Sequence, residues 1–298
     1  MRGVWTAIVT PFTDDGQLDL PSLKKMLRNQ IDAGITGIIP CGTTGESPTL
    51  SHDEKKLLIQ TCLSECRGTS VQVVAGTGTH NTQETIEFSQ WAGSAGVNGV
   101  LVVTPYYSKP SQLGLEKHFE AVASAISCPV ILYHVPGRTG VNLAPQTISK
   151  LARHPRIRAI KEASGNPTLT SEIIDQLRLD QQTMDVLSGD DATYLPLLSL
   201  GAVGVISVAS NLFPKAMVQL QKHFDEGNIA GATSIHQKYY PLFRDLFIES
   251  NPVPVKAALA EVGWCKPHVR LPLASLTAPH LDRLRQSLDE CQIFQDTA

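Results

Sequence analysis

Short apolar runs alternate with segments of helical periodicity along most of the chain. Eight runs bounded by turn-forming residues have the length and composition of β-strands, and they cover residues 4–10, 35–40, 71–75, 99–104, 130–134, 157–161, 184–188 and 204–208. Most are apolar at consecutive positions, as expected when both faces of a parallel sheet are covered. Each run precedes a segment of helical character, and these segments cover residues 18–33, 51–66, 82–95, 112–125, 144–153, 169–179, 192–200 and 214–225.

Eight strand–helix units within residues 1–225 predict an α/β protein with a closed (β/α)8 barrel, a TIM barrel. A doubly wound open sheet is the alternative, but it carries a glycine-rich dinucleotide fingerprint after its first strand, and this chain has none there. Three further helices are predicted at residues 228–248, 254–262 and 277–291. We therefore expect a catalytic barrel at residues 1–225 and a C-terminal helical extension at residues 226–298, which shields the barrel or forms an oligomer contact.

Composition narrows the class of protein. The formal net charge is −3 with acidic and basic residues interspersed, and this argues against a nucleic-acid partner. The sequence shows no apolar run long enough for a membrane span and no secretory signal, so we expect a cytoplasmic protein without a membrane partner. The six cysteines are scattered without a CxxC pair, which predicts reduced thiols, and no His/Asp/Glu set has metal-ligand spacing.

Lys161 lies where the sixth predicted strand gives way to small and polar residues. Neighbouring strands partly desolvate an amine at such a position, and desolvation lowers the pKa of a lysine. At the ordinary value of about 10.4, roughly one lysine in a few thousand is neutral at pH 7, whereas a Schiff-base lysine must be neutral to attack a carbonyl. A solvated lysine at a strand end is the alternative, and this stretch alone favours it.

The barrel topology changes that balance. Residues at the C-terminal ends of barrel strands face one shared mouth. The predicted strand ends and the loops after them supply Thr43, Thr44, Tyr106, Tyr107, Tyr133, Arg138, Gly189 and Ile206. A lysine in the company of tyrosine, hydroxyl and arginine side chains is a constellation typical of catalysis, so the topology favours a catalytic amine at Lys161.

Imine chemistry assigns roles to these neighbours. The Tyr133 hydroxyl can carry protons to and from a carbinolamine oxygen, with Thr43 passing them onward. Arg138 offers a planar fork to a carboxylate, and the backbone N–H groups near Thr43 and Thr44 can hold a second one. Each residue also has a structural alternative: a core tyrosine, a turn at the threonines and a surface ion pair at the arginine.

Asp190 and Asp191 follow a glycine directly after the seventh predicted strand. Paired acids can ligate a metal, but in this position they are more often the N-terminal cap of a helix, here one that starts near Ala192.

Seven motifs occur in an order that resembles a known family: GTTGE at 42–46, TPYY at 104–107, YHVPGRTG at 133–140, IKEA at 160–163, SGDD at 188–191, GVIS at 204–207 and NPVPVK at 251–256. The family is that of the 4-hydroxy-tetrahydrodipicolinate (dihydrodipicolinate) synthases, in the N-acetylneuraminate lyase superfamily. The resemblance covers nearly the whole chain. It implies a (β/α)8 barrel with a helical tail and a homotetramer built as a dimer of dimers.

The resemblance also implies a lyase that condenses pyruvate with L-aspartate 4-semialdehyde on the way to diaminopimelate and lysine. It needs no cofactor, because Lys161 forms a covalent imine with pyruvate. Tyr133 is then the proton donor and acceptor, and Thr43 links it to Tyr107, which the family supplies from the neighbouring subunit.

Four further positions match substrate-binding residues of the family. Thr44 and Ile206 correspond to residues that bind pyruvate, the carbonyl of Gly189 to one that faces the site, and Arg138 to one that binds the carboxylate of the aldehyde. His134 is a departure, because the family usually has Asn there. We expect it to alter hydrogen bonding behind the site and the pH profile, and to leave the reaction class unchanged.

Two other functions are alternatives to the predicted synthase. Another aldolase of the superfamily, cleaving a sialic acid or a 2-keto-3-deoxy sugar acid, would share the lysine and the strand-five tyrosine. The sialic acid lyases usually carry Ser-Thr in place of Thr43 and Thr44 and lack an arginine at Arg138. A non-enzymatic barrel serving as an oligomeric binding module predicts loss of Lys161 or Tyr133, and both are present.

Overall fold

The computed structural model of the chain describes residues 1–293. Its strands are β1 (Gly3–Ala7), β2 (Gly37–Ile39), β3 (Gln72–Gly76), β4 (Gly99–Val103), β5 (Val130–His134), β6 (Ile157–Glu162), β7 (Asp185–Ser188) and β8 (Gly204–Ser207). Its helices are α1 (Leu20–Asp32), α2 (His52–Glu65), α3 (Thr82–Ala95), α4 (Gln112–Ala125), α5 (Pro136–Thr139), α6 (Pro145–Ala152), α7 (Pro167–Leu179), α8 (Tyr194–Ser199), α9 (Pro214–Asp225), α10 (Ile229–Asp245), α11 (Val253–Glu261) and α12 (Ala278–Glu290). Within residues 1–293, no helix is both long enough and apolar enough to cross a membrane.

The eight strands pair in chain order to form a closed barrel, β1 to β8. The pairings from β3 to β8 are all parallel, and so is that of β1 with β2. The predicted (β/α)8 barrel followed by further helices is therefore confirmed, and the open-sheet alternative is wrong.

Most predicted helices begin and end within two residues of the observed positions, but two details differ. The segment after β5, expected to be a loop, contains the one-turn helix α5, which starts at Pro136 and is capped at its C-terminal end by Gly140 in a left-handed conformation. Helix α8 begins at Tyr194 rather than near Ala192 and has no side-chain cap, because the Asp190 carboxylate accepts from the Ala192 backbone in the turn before it. The predicted capping box at Ser51 and Glu54 is confirmed.

The chain packs into two compact units. The first contains residues 1–3 and 72–206, and therefore strands β3 to β7 with helices α3 to α8. The second contains residues 4–71 and the chain from Ser207 onward, and therefore β2, α1, α2 and helices α9 to α12. The domain boundary expected after residue 225 stays a prediction.

A buried carboxylate joins two helices of the second unit. Asp245, at the end of α10, accepts hydrogen bonds from its neighbour Arg244 and from Arg283 and Ser287 of α12. Burial by itself would raise the pKa of Asp245, but the hydrogen bonds from these three residues outweigh it and hold the pKa well below its ordinary value. This contact joins α12 to α10 beside the buried apolar side chains of both helices, among them Leu242 and Leu284.

The first unit buries a histidine between α3 and α4. The Nδ1 atom of His118 lies 2.9 Å from the Thr82 hydroxyl, the Nε2 atom is buried without a hydrogen-bond partner in the described chain, and the Phe119 ring packs edge-on. Burial lowers the pKa of His118 to about 4. The folded protein therefore keeps this imidazole neutral at pH values where the unfolded chain protonates it.

This histidine predicts a stability that falls in mild acid. Between the ordinary histidine pKa near 6.5 and the folded value of about 4, the unfolded state binds the extra proton, so stability is full above that window and decreases as the pH falls through it. A difference of this size corresponds to at most about 3 kcal/mol. We expect His118→Gln to flatten the dependence of the urea midpoint on pH between 7.5 and 4.5, whereas the same change at the exposed His52 leaves it intact. An unchanged slope in His118→Gln would contradict the assignment.

Candidate active site

The register between β5 and β6 determines which side chains meet in the first unit. Tyr133 pairs with Lys161, and His134 pairs with Glu162, in the last two positions of each strand. Side chains alternate between the two faces of a strand. The tyrosine and the lysine therefore share one face of the sheet, and the histidine and the glutamate share the other.

Lys161 and Tyr133 are in direct contact and almost removed from solvent. Lys161 is 5% exposed and Tyr133 is 6% exposed. The Lys161 Nζ atom lies over the tyrosine ring, 4.4 Å from its centroid. No carboxylate of residues 1–293 lies within ion-pair distance of this nitrogen. The lysine is thus a buried amine at a strand end with an aromatic hydroxyl residue beside it.

Gly189 closes the space next to this lysine. Its backbone N–H donates to the Glu162 carbonyl over 2.6 Å. A Cβ atom at this position would lie 2.5 Å from the Ala163 Cβ atom and 2.9 Å from the Lys161 Cε atom. Only glycine leaves the lysine side chain where it is, so the structure brings Tyr133, Lys161 and Gly189 together.

Asp190 interacts electrostatically with the Lys161 amine. Burial raises the pKa of Asp190, while the hydrogen bond from the Ala192 backbone and the charge of Lys161 oppose the change. Its Oδ1 atom accepts from Ala192 N–H over 2.8 Å. The Asp190 carboxylate therefore stabilises the turn before α8. Residues 1–293 contain no group of three His, Cys, Asp or Glu side chains placed to hold a metal ion.

The opposite face of the two strands holds a buried histidine–carboxylate pair. The His134 Nδ1 atom lies 3.4 Å from Glu162 Oε1, and both side chains are almost fully buried. The Glu162 carboxylate also accepts from Ser164 N–H over 2.7 Å and from the Thr170 hydroxyl over 3.3 Å. Burial alone would raise the pKa of Glu162, but His134 and Ser164 outweigh it and lower the pKa. The unusual histidine thus lies directly behind the lysine–tyrosine pair.

The remaining predicted residues of the first unit occupy three different settings. Ile206 is fully buried in β8. Arg138 is exposed on α5, one turn after β5. Tyr107 is 92% exposed, and its backbone has a left-handed φ of 71°. Residues other than Gly, Asn and Asp seldom adopt this conformation.

Thr43 and Thr44 lie in the second unit, in the loop after β2. This loop turns back on itself through a bond from Glu46 N–H to the Thr43 carbonyl, 3.1 Å long. Thr44 is 2% exposed, and its hydroxyl oxygen accepts from the Asn251 side-chain amide over 3.0 Å. The Thr10 hydroxyl holds the next carbonyl, that of Gly45, at 2.7 Å.

A fully buried ion pair secures the end of this loop. Glu46 has a left-handed φ of 54°, and its Oε1 atom lies 2.6 Å from the Lys256 Nζ atom of α11. The same nitrogen donates to the Thr10 carbonyl over 2.8 Å and lies over the Phe12 ring. Burial lowers the pKa of Lys256, and the Glu46 carboxylate opposes that change. The backbone N–H of Arg270 donates to the other carboxylate oxygen of Glu46, Oε2.

Sequence reasoning assigned no role to Asn251, Glu46, Lys256 or Arg270. Glu46 lies in the motif at 42–46, and Asn251 and Lys256 lie in the motif at 251–256. The presence of these two polar motifs was the sequence signal for the three residues, but no pattern in the sequence indicates that the two motifs are in contact. Arg270 lies outside every motif.

Comparison with known proteins places the chain in one family. It matches the profile of the Dihydrodipicolinate synthetase family over residues 1–291. The 4-hydroxy-tetrahydrodipicolinate synthase of Leptospira biflexa, a curated relative, is 48% identical over 276 residues, which are 93% of this chain and 92% of that protein.

Solved structures agree over equally long stretches. The 4-hydroxy-tetrahydrodipicolinate synthase of the methanotroph Methylacidiphilum fumariolicum SolV is 44% identical, with a TM-score of 0.95 over 100% of this chain and 98% of that one. The chloride-inhibited dihydrodipicolinate synthase of Acinetobacter baumannii, solved in complex with pyruvate, is 41% identical, with a TM-score of 0.94 over 98% of this chain and 99% of that one. Because the profile and the relatives cover nearly the entire chain, it belongs to the dihydrodipicolinate synthetase family.

Proposed function

We propose that this chain condenses pyruvate with L-aspartate 4-semialdehyde to 4-hydroxy-tetrahydrodipicolinate, in diaminopimelate and lysine biosynthesis, through an imine on Lys161. Relatives of 44–48% identity carry the name of this synthase, and a 41% identical structure holds pyruvate. The proposal uses no metal or organic cofactor, because the imine itself activates the substrate.

One observation carries the assignment of the amine. Lys161 and Lys256 are both buried, at 5% and 0% exposure. Lys256 has a carboxylate 2.6 Å away, whereas Lys161 has the Tyr133 ring and no carboxylate of residues 1–293 at ion-pair distance. The Lys256 nitrogen is engaged by the Glu46 carboxylate and the Thr10 carbonyl and anchors the loop after β2, which supports Lys161 as the buried lysine that attacks the carbonyl.

The reaction then proceeds through an imine and an enamine. The Lys161 nitrogen attacks the pyruvate carbonyl, and loss of water from the carbinolamine gives the imine. Removal of a methyl proton gives an enamine, whose carbon attacks the aldehyde. The amino group of the extended chain then attacks the imine carbon and displaces Lys161. Tyr133, in contact with the amine, moves the protons, and Thr43 relays them.

The proton relay extends to a second subunit in this proposal. Tyr107 is 92% exposed in the loop after β4, with a left-handed backbone, which suits a residue inserted into a neighbouring copy. It would complete the relay of that copy through Thr43, in a homotetramer arranged as a dimer of dimers. Thr44 and Ile206 hold pyruvate, and the carbonyl of Gly189 faces it.

Reductive trapping with pyruvate tests the role of the Lys161 amine. After incubation with pyruvate and reduction with borohydride, the intact mass of the wild-type protein should increase by one reduced pyruvyl group. Lys161→Ala should show no adduct, and neither should Lys161→Arg, because arginine stays protonated. The exposed Lys215 provides the control, since Lys215→Ala should react like the wild type. An adduct of wild-type extent in Lys161→Ala would exclude the proposed role.

Arg138 should distinguish the two substrates. Arg138→Ala removes a charge-assisted contact from the carboxylate of the aldehyde only, so the KM for L-aspartate 4-semialdehyde should rise by roughly 10- to 100-fold while that for pyruvate changes little. Arg153→Ala, a change at another exposed arginine, should alter neither constant. Equal effects on both substrates would make Arg138 structural and reopen the aldolase alternative.

Gly189→Ala tests the packing beside the amine. The new Cβ atom would lie 2.9 Å from the Lys161 Cε atom and 3.0 Å from the Glu162 carbonyl oxygen, so the lysine must move. Displacements near 1 Å at reacting groups can cost about a hundredfold in rate, and we expect adduct formation to slow by at least about tenfold. Gly93→Ala, where the new atom meets ordinary contacts at 3.5 Å or more, should react normally. A normal rate in Gly189→Ala would mean that the space beside Lys161 has no catalytic consequence.

A further inference from the structure

The hydrogen bond between Asn251 and Thr44 has a direction with chemical consequences. The Asn251 Nδ2 atom donates to the Thr44 hydroxyl oxygen over 3.0 Å, although the two residues lie 207 positions apart. They are 5% and 2% exposed, so bulk water does not compete for the contact. Asn251 lies two residues before the start of α11, and Thr44 belongs to the loop after β2.

The backbone on both sides of this contact is fixed. On one side, Glu46 is tied to Lys256 of α11 by a 2.6 Å ion pair between side chains that are 0% exposed. Thr10 holds the carbonyl of the intervening Gly45. The loop and the start of α11 therefore cannot separate without exposing or unpairing a buried charge, which is costly.

A threonine hydroxyl has one proton to donate and two lone pairs that accept. An amide N–H that occupies a lone pair leaves the proton available for a different acceptor. A carboxylate is acceptor-only, and hydrogen bonds to charged groups are stronger than those between neutral groups. A hydroxyl held in this way is thus a directed donor for an anion.

We propose that Asn251 is a positioning residue for pyruvate: its amide occupies the acceptor side of the Thr44 hydroxyl and directs the hydroxyl proton toward the pyruvate carboxylate. The inference rests on the proposed function through Thr44, and it adds a residue of the helical region after the barrel to the machinery that recognises pyruvate. Asn251 contacts no substrate and acts only through Thr44.

Two substitutions separate polarity from packing. Asn251→Asp preserves shape but replaces the N–H donor with an acceptor, which captures the Thr44 proton. The KM for pyruvate should rise by at least about tenfold, since a hydrogen bond to a charged group is lost, with a smaller change in kcat. Asn251→Ala only frees the hydroxyl to rotate, so its KM should rise less than that of Asn251→Asp. Equal KM values in both variants and the wild type would overturn the proposal.

A double-mutant cycle shows whether the effect passes through Thr44. Thr44→Val removes the hydroxyl and should raise the pyruvate KM by itself. Combining it with Asn251→Ala should then raise the KM no further, because the hydroxyl that Asn251 orients is gone. Fully additive effects would mean that Asn251 acts by another route and would overturn the proposal.

Ser287→Ala is the matched control for stability. It removes another buried hydrogen bond from the C-terminal helices, the 2.7 Å bond to Asp245, far along the chain from the loop. It should lower the melting temperature and leave the pyruvate KM unchanged. If Asn251→Ala does not fold, the near-isosteric Asn251→Asp and the Thr44→Val cycle built on it carry the same test.

The outcomes also separate this inference from the function on which it rests. If Thr44→Val raises the pyruvate KM while both Asn251 variants behave like the wild type, the positioning role is wrong and the proposed function stands. If the wild-type protein forms no reducible adduct with pyruvate, the proposed function fails first.

Discussion

The pairing of β5 with β6 is the constraint on which the proposed chemistry of the first unit depends. It sets Tyr133 opposite Lys161 and His134 opposite Glu162. Because strand side chains alternate between faces, a slip of one residue would turn the amine away from the tyrosine. The His134–Glu162 pair, buried on the other face, anchors the same two strand ends, so the polar residues on both faces favour one register.

The two buried lysines have opposite surroundings. Lys256 meets Glu46 at 2.6 Å, and this pair ties the loop after β2 to α11. Lys161 packs on the Tyr133 ring at 4.4 Å. A carboxylate partner makes a buried ammonium tolerable. Structural anchoring needs such a partner, whereas imine formation does not, so the distribution of carboxylates supports Lys161 rather than Lys256 as the proposed reactive amine.

The local hydrophobic pattern was enough to predict the barrel. Each strand–helix unit is recognisable within about 25 to 30 residues, and parallel strands can close into few topologies. It also predicted that Tyr133 and Lys161 end neighbouring strands. It could not predict that Asn251 touches Thr44, since that contact joins segments 207 positions apart and neither residue has a periodicity. The left-handed backbone of Tyr107 and the one-turn helix that carries Arg138 were missed for a related reason, because single-residue geometry in a loop depends on tertiary packing.

The requirement for a neutral amine explains why a directed hydroxyl is useful in the proposed complex. Pyruvate brings a negative charge close to Lys161, and a nearby anion favours the ammonium form that cannot attack. A hydroxyl proton aimed at that carboxylate withdraws part of its charge without bringing another ionised group into a buried site. An arginine in the same place would bind the carboxylate more strongly, but it would add a desolvated cation. A neutral donor oriented by Asn251 therefore reconciles tight placement of an anionic substrate with an amine that must lose its proton.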